Sequence, residues 1–174
     1  MENILYTLNL AIHIIAAAFC VSAPLYQLRW VKLRRKLGRP IVFPFDKVME
    51  NVLGLQPKLC IAFITTLILT GFAFPLIHYG FHGQWAEYSD ISMLTFHTKT
   101  LLTFLGLSIV LYSAIVIDPQ TQRTFASFFP NKHPPDELLN HFWELRAKRA
   151  FFCNVCFVLA LIIMAITPVL RFYK

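Results

Sequence analysis

Four stretches of the chain are apolar for long enough to cross a bilayer, and the segments between them are polar, proline-rich or basic. The apolar runs are Ile4 to Leu28, Leu59 to His78, Ile91 to Ile117 and Ala150 to Leu170. Each is close to or above the roughly 20 residues that a helix needs to span the hydrocarbon. None alternates apolar and polar positions as the strands of a membrane barrel do. The pattern therefore predicts an all-α integral membrane protein, with four transmembrane helices in one bundle and a single membrane domain over residues 1–174.

The intervening segments carry their own signals. Segment 29–58 is punctuated by Gly38, Pro40, Pro44 and Pro57, which predicts a short amphipathic helix from Phe45 to Gln56 lying at the membrane interface. Segment 118–149 contains Pro119, Pro130, Pro134 and Pro135, after which Asp136 opens a helix that runs into the fourth span. The connection 79–90 is short, and its Tyr79, Phe81, Trp85 and Tyr88 suit the membrane–water boundary.

Composition agrees with the pattern: 57% of the 174 residues are hydrophobic and 14% charged, too apolar for an ordinary soluble domain. Mean hydropathy is +0.58. The net charge of +7 could be read as a nucleic-acid footprint, but the charges are sorted by loop. Arg29, Lys32, Arg34, Arg35, Lys36, Arg39, Lys47 and Lys58 fall in segment 29–58, and Arg123, Lys132, Arg146, Lys148 and Arg149 in 118–149, while 79–90 has no Lys or Arg. The positive-inside rule then places both long loops in the cytoplasm and both termini outside, with no nucleic-acid partner needed to explain the charge. The basic run from Arg29 to Arg39 is placed to touch anionic headgroups. The expected location is the inner (cytoplasmic) membrane, multi-pass. Glu2, with no basic residue before the first apolar run and no clean cleavage site after it, predicts that this run is retained as a span. Cys20, Cys60, Cys153 and Cys156 all lie within spans or at their edges, which favours packed thiols over disulfides.

Ionisable groups inside the spans are the candidate chemistry, because each costs at least a few kcal/mol in hydrocarbon and normally faces a partner, a cavity or a cofactor. His97 and Lys99 lie roughly 9 and 12 Å in from the start of the third run, and His13 about 14 Å in from the start of the first. Asn9, His13, Ala16, Ala17, Cys20 and Pro24 share one side of the first helix, small enough to admit a flat ring or a close helix neighbour. Two imidazoles at matching depth on different helices make a minimal scaffold for non-covalent haem b, with His13 and His97 as metal ligands. Lys99 is suited to pair with a propionate. Covalent haem attachment is excluded on motif grounds, since Cys153 and Cys156 are followed by Phe157 rather than His. His78 and His82 have i, i+4 spacing suited to half a metal site, although Gly80 and Gly83 weigh against a continued helix there, and interfacial placement is the expected role. His133 and His141 read as solvated. No phosphate-binding glycine loop, nucleophile elbow or zinc-protease motif occurs, and no span contains a carboxylate. That leaves redox chemistry or transport.

The run His13-Ile-Ile-Ala-Ala-Ala-Phe with Tyr26 and Arg29 closing the first span, the run Phe96-His97-Thr98-Lys99-Thr100-Leu101-Leu102, and the segment from Arg149 to Val155 leading to Thr167-Pro168 resemble the HemJ-type protoporphyrinogen oxidase family. CopD-like copper-resistance membrane proteins look similar. The resemblance covers the membrane-embedded two thirds of the chain. It implies a four-helix fold binding haem b through His13 and His97, with Lys99 and Arg29 as matching basic residues. The expected function is electron transfer between a quinone or porphyrin and a redox partner, in a homo-oligomer or beside other membrane subunits. The competing expectations are an accessory subunit without cofactor, and copper passage along His78, His82 and His97.

Overall fold

The computed structural model describes residues 1–38, 40–85, 89–129 and 134–168. Helix α1 runs Glu2–Arg35, α2 Phe43–His82 and α3 Asp90–Tyr112; a π-helical turn, Ser113–Ile117, joins α3 to α4, Asp118–Ala126, and α5 is Asp136–Ile166. No strand occurs among the described residues. Four helical stretches are long and apolar enough to cross a membrane. The protein is an all-helical, multi-pass membrane bundle in which α1 packs on α2, α2 on α3, α3 on α5, and α5 back on α1.

At 1.5 Å per residue the 40-residue α2 is about 60 Å long, twice the hydrocarbon thickness. Its first turns replace the separate interfacial helix expected over Phe45–Gln56. Pro44 sits in the first turn, where the missing N–H is no loss, and the Asp46 carboxylate accepts from the Val42 N–H at 2.9 Å. Pro57 does not stop the helix, and Asp46, Met49, Glu50 and Leu53 on its inward face are all buried. A helix lying flat on the interface would leave those carboxylates in water; here they meet arginines of α1 and α5.

Around one of the prolines inside the helices, side chains of neighbouring helices reach the backbone. Next to Pro24 in α1, the Ala23 carbonyl accepts from Gln56 Nε2, and the Pro24 carbonyl accepts from Cys153 Sγ at 3.5 Å. Pro119 has no N–H to return to the Ile115 carbonyl, and just before it the ladder slips by one residue, so that the Asp118 N–H bonds the Ser113 carbonyl. The continuation of α3 through this turn into α4 places Asp118 and Thr121 in the interior.

Burial is concentrated at the basic end of the bundle. There Phe125, Phe128 and Phe142 form an apolar cluster flanked by Ile41, Phe43 and Leu138. Towards the opposite end, large apolar side chains such as Ile4, Leu69, Leu94 and Leu101 point outward, as expected where the solvent is lipid.

Candidate functional site

Two polar assemblies lie inside this apolar framework. The first is deep in the bundle, between α1 and α2. Asn9 and His13, one helical turn apart on α1, both reach Thr70 of α2: Asn9 Nδ2 donates to the Thr70 carbonyl at 2.9 Å, and His13 Nδ1 lies 2.7 Å from Thr70 Oγ1. Thr70 has one hydroxyl proton, and its oxygen sits 2.7 Å from the Thr66 carbonyl, which can only accept. With that proton committed, Oγ1 accepts from His13, so Nδ1 carries the imidazole proton and Nε2 presents a lone pair. Phe74 holds the ring edge-on, with centroids 5.8 Å apart. Gly71 lies against the ring, where a methyl group would make an ordinary contact at 3.9 Å from His13 Cε1.

Lys99 enters this assembly from α3, half-buried and within electrostatic reach of the His13 ring. The two residues predicted to ligate together do not share one face of the interior. His97 lies on the exposed side of α3, in line with Leu101, Phe104, Ser108 and Tyr112; Lys99 and Thr103 turn inward instead. The expected His13–His97 pair is thus not gathered on one interior face, and the cause is helical phase, since positions 97 and 99 differ by about 200° around the axis. Arg29 does not join His13 either. It is exposed and sixteen residues further along α1, about 24 Å away, so it cannot share a ligand's anionic edge with Lys99.

One turn towards the basic end, an apolar cavity of about 100 Å³ opens between the spans, lined by Ala17, Cys20, Thr103, Gly106 and Ala160 among others. The four cysteines are free, and Cys20, Cys60 and Cys156 line the cavity wall.

The second assembly is a buried ionic network at the basic end. Arg34 grips Asp46 with two hydrogen bonds, of 2.7 and 2.9 Å, and also donates to the carbonyls of Gly38 and Pro40 at 2.8 Å each. Arg146 bridges Asp46 at 2.9 Å and Glu50 at 2.6 Å; Arg149 bridges Glu50 at 3.0 Å and Asp118 at 3.2 Å. All six side chains are nearly sealed from solvent. The Arg34 and Arg146 guanidinium groups also lie over the Trp143 ring, and Arg146 over Phe142 at 4.4 Å. Three cations against three anions leave no net charge, and the network ties α1, α2, α4 and α5 together. These residues read in the sequence as topogenic charge or loop. Buried ion pairs of this kind fix an arrangement of helices more than they add stability, so the network serves as scaffold.

At the opposite end α2 does continue past Gly80 to His82, and Gly83 closes it in the left-handed conformation, φ +69°, with its N–H on the Tyr79 carbonyl. His78 and His82 consequently stand one above the other, ring centroids 4.5 Å apart, while His141 is exposed on α5 and His133 lies outside the described residues. Fold and interior together give a four-helix membrane bundle with a half-buried histidine and lysine between its helices. In comparisons with known proteins, no family model, no curated protein and no solved structure matches the chain.

Proposed function

We propose that the protein is a membrane haem b carrier for electron transfer, in which His13 offers Nε2 to the iron and Lys99 pairs with a propionate. One observation carries the reading: Thr70 Oγ1 accepts a hydrogen bond from the Nδ1–H of His13, the second-sphere arrangement that orients a metal-ligating imidazole and raises its basicity. The small residues beside it, Ala17, Gly106 and Ala160, leave the helix backbones open to close approach by a flat, apolar ring. Haem bound there would supply one-electron redox chemistry; the chain supplies an axial base, an anion partner and a water-poor surrounding that tunes the potential. The resemblance to HemJ-type oxidases points to a porphyrin or quinone as exchange partner.

The test is the absorption spectrum of the protein purified from cells supplied with haem precursor. A Soret band that is lost in His13→Ala and kept in His97→Ala is the expected result. A preparation that holds no haem, or a His13→Ala variant with an unchanged spectrum, would sink the proposal and leave the chain as an accessory subunit.

A further inference from the structure

At the end of the bundle away from the basic loops, two elements bring three metal-ligating side chains together. His78 and His82 occupy one face of the last turns of α2, and Glu2 reaches them from the first turn of α1. Glu2 Oε1 is 3.0 Å from His82 Nε2, and one ligand atom from each of the three residues lies within 4.8 Å of the others. Among the described residues this is the sole group of three or more His, Cys, Asp or Glu residues that meets so closely; the cysteines around the central cavity do not. We infer that Glu2, His78 and His82 form a binding site for a divalent transition ion of the zinc class. The inference is independent of the haem proposal, whose residues lie deeper in the bundle.

The donor set carries the chemistry. Two imidazoles and one carboxylate are a borderline N₂O set that suits Zn²⁺, and three protein ligands leave a fourth tetrahedral position for water. At metal–ligand distances of about 2.0–2.1 Å, tetrahedral ligand atoms stand about 3.3 Å apart. The Glu2–His82 contact is already inside that spacing, and no separation in the group exceeds 4.8 Å. Access is open, since the side chains of His82 and Glu2 are 45% and 29% exposed. The supporting backbone is well formed. Gly83 terminates α2 directly after His82, and Tyr79 stacks on Trp85 beside the site with centroids 4.7 Å apart. An ion held there would clasp the start of α1 to the end of α2, far from the ionic network that ties their other ends.

The measurement is titration of the full-length, detergent-solubilised protein, thiols kept reduced, with Zn²⁺ by calorimetry and with Co²⁺ by visible absorption. Expected is one ion per chain with tetrahedral d–d bands, and loss of at least about 100-fold in affinity in His78→Ala and in His82→Ala, because removing even an outer-sphere partner costs 10–100-fold. Glu2→Gln keeps the shape and a hydrogen bond to His82, and should weaken binding while the far-ultraviolet circular dichroism stays unchanged. Absence of binding would mean that the three residues form an ordinary interhelical ion pair and would overturn the inference. Affinity unchanged in all three variants, or cobalt–thiolate charge-transfer bands, would place the ion elsewhere and overturn it equally.

Discussion

Thr70 decides what His13 can do. Its hydroxyl sits between the Thr66 carbonyl and the His13 imidazole, and this order of donors fixes the tautomer. Replacing it by valine keeps the volume but leaves Nδ1–H without an acceptor in hydrocarbon, so the proton no longer favours one nitrogen. Thr70→Val should therefore lower haem affinity by about 10–100-fold, measured by haem transfer to an excess of apomyoglobin, with the helical content intact. At this scale the sequence was partly legible. His13 and Lys99 stand out because ionisable residues are costly in a span, and the face of α1 carrying Asn9 and His13 follows from helical spacing alone. His97 did not follow, because depth along a helix says nothing about angle around it, and the apolar residues flanking it are equally suited to lipid and to a neighbour. Thr70 gave no signal: a threonine in an apolar run is unremarkable until its partner on another helix is known.

Among the elements, α2 departs furthest from the expectation. Proline-rich punctuation before and within it reads as a loop with a short surface helix, yet Pro44 lies where a helix can begin and the helix carries on through Pro57. What makes the extension worth forming is its inward face, where Asp46 and Glu50 meet Arg34, Arg146 and Arg149. Arg146 is the member shared by both carboxylates and stacked on two rings. Arg146→Met fills similar space but strands negative charge in the interior, and should cost about 3–5 kcal/mol. Thermal unfolding in detergent measures it. A second change, Glu50→Gln, should recover part of that loss, since the two sites share a partner and are not additive.

For the molecule as a whole, the four spans and their order were plain from the apolar runs, because lipid demands long uninterrupted helices and punishes anything else. The partners inside were not. Arg146 and Arg149 are 96 and 99 positions from Glu50 along the chain, and no local pattern announces such a meeting. The ionic network nevertheless has an arithmetic that bears on assembly. The first pair of spans brings Arg34 against Asp46 and Glu50, a surplus of one negative; the second brings Arg146 and Arg149 against Asp118, a surplus of one positive. Neither half is neutral alone, so each is an incomplete electrolyte waiting for its complement. A gene divided in the connection between α2 and α3 should accordingly yield two polypeptides that find one another in the bilayer and co-purify, whereas Arg146→Met in the second should cut the recovered pair sharply.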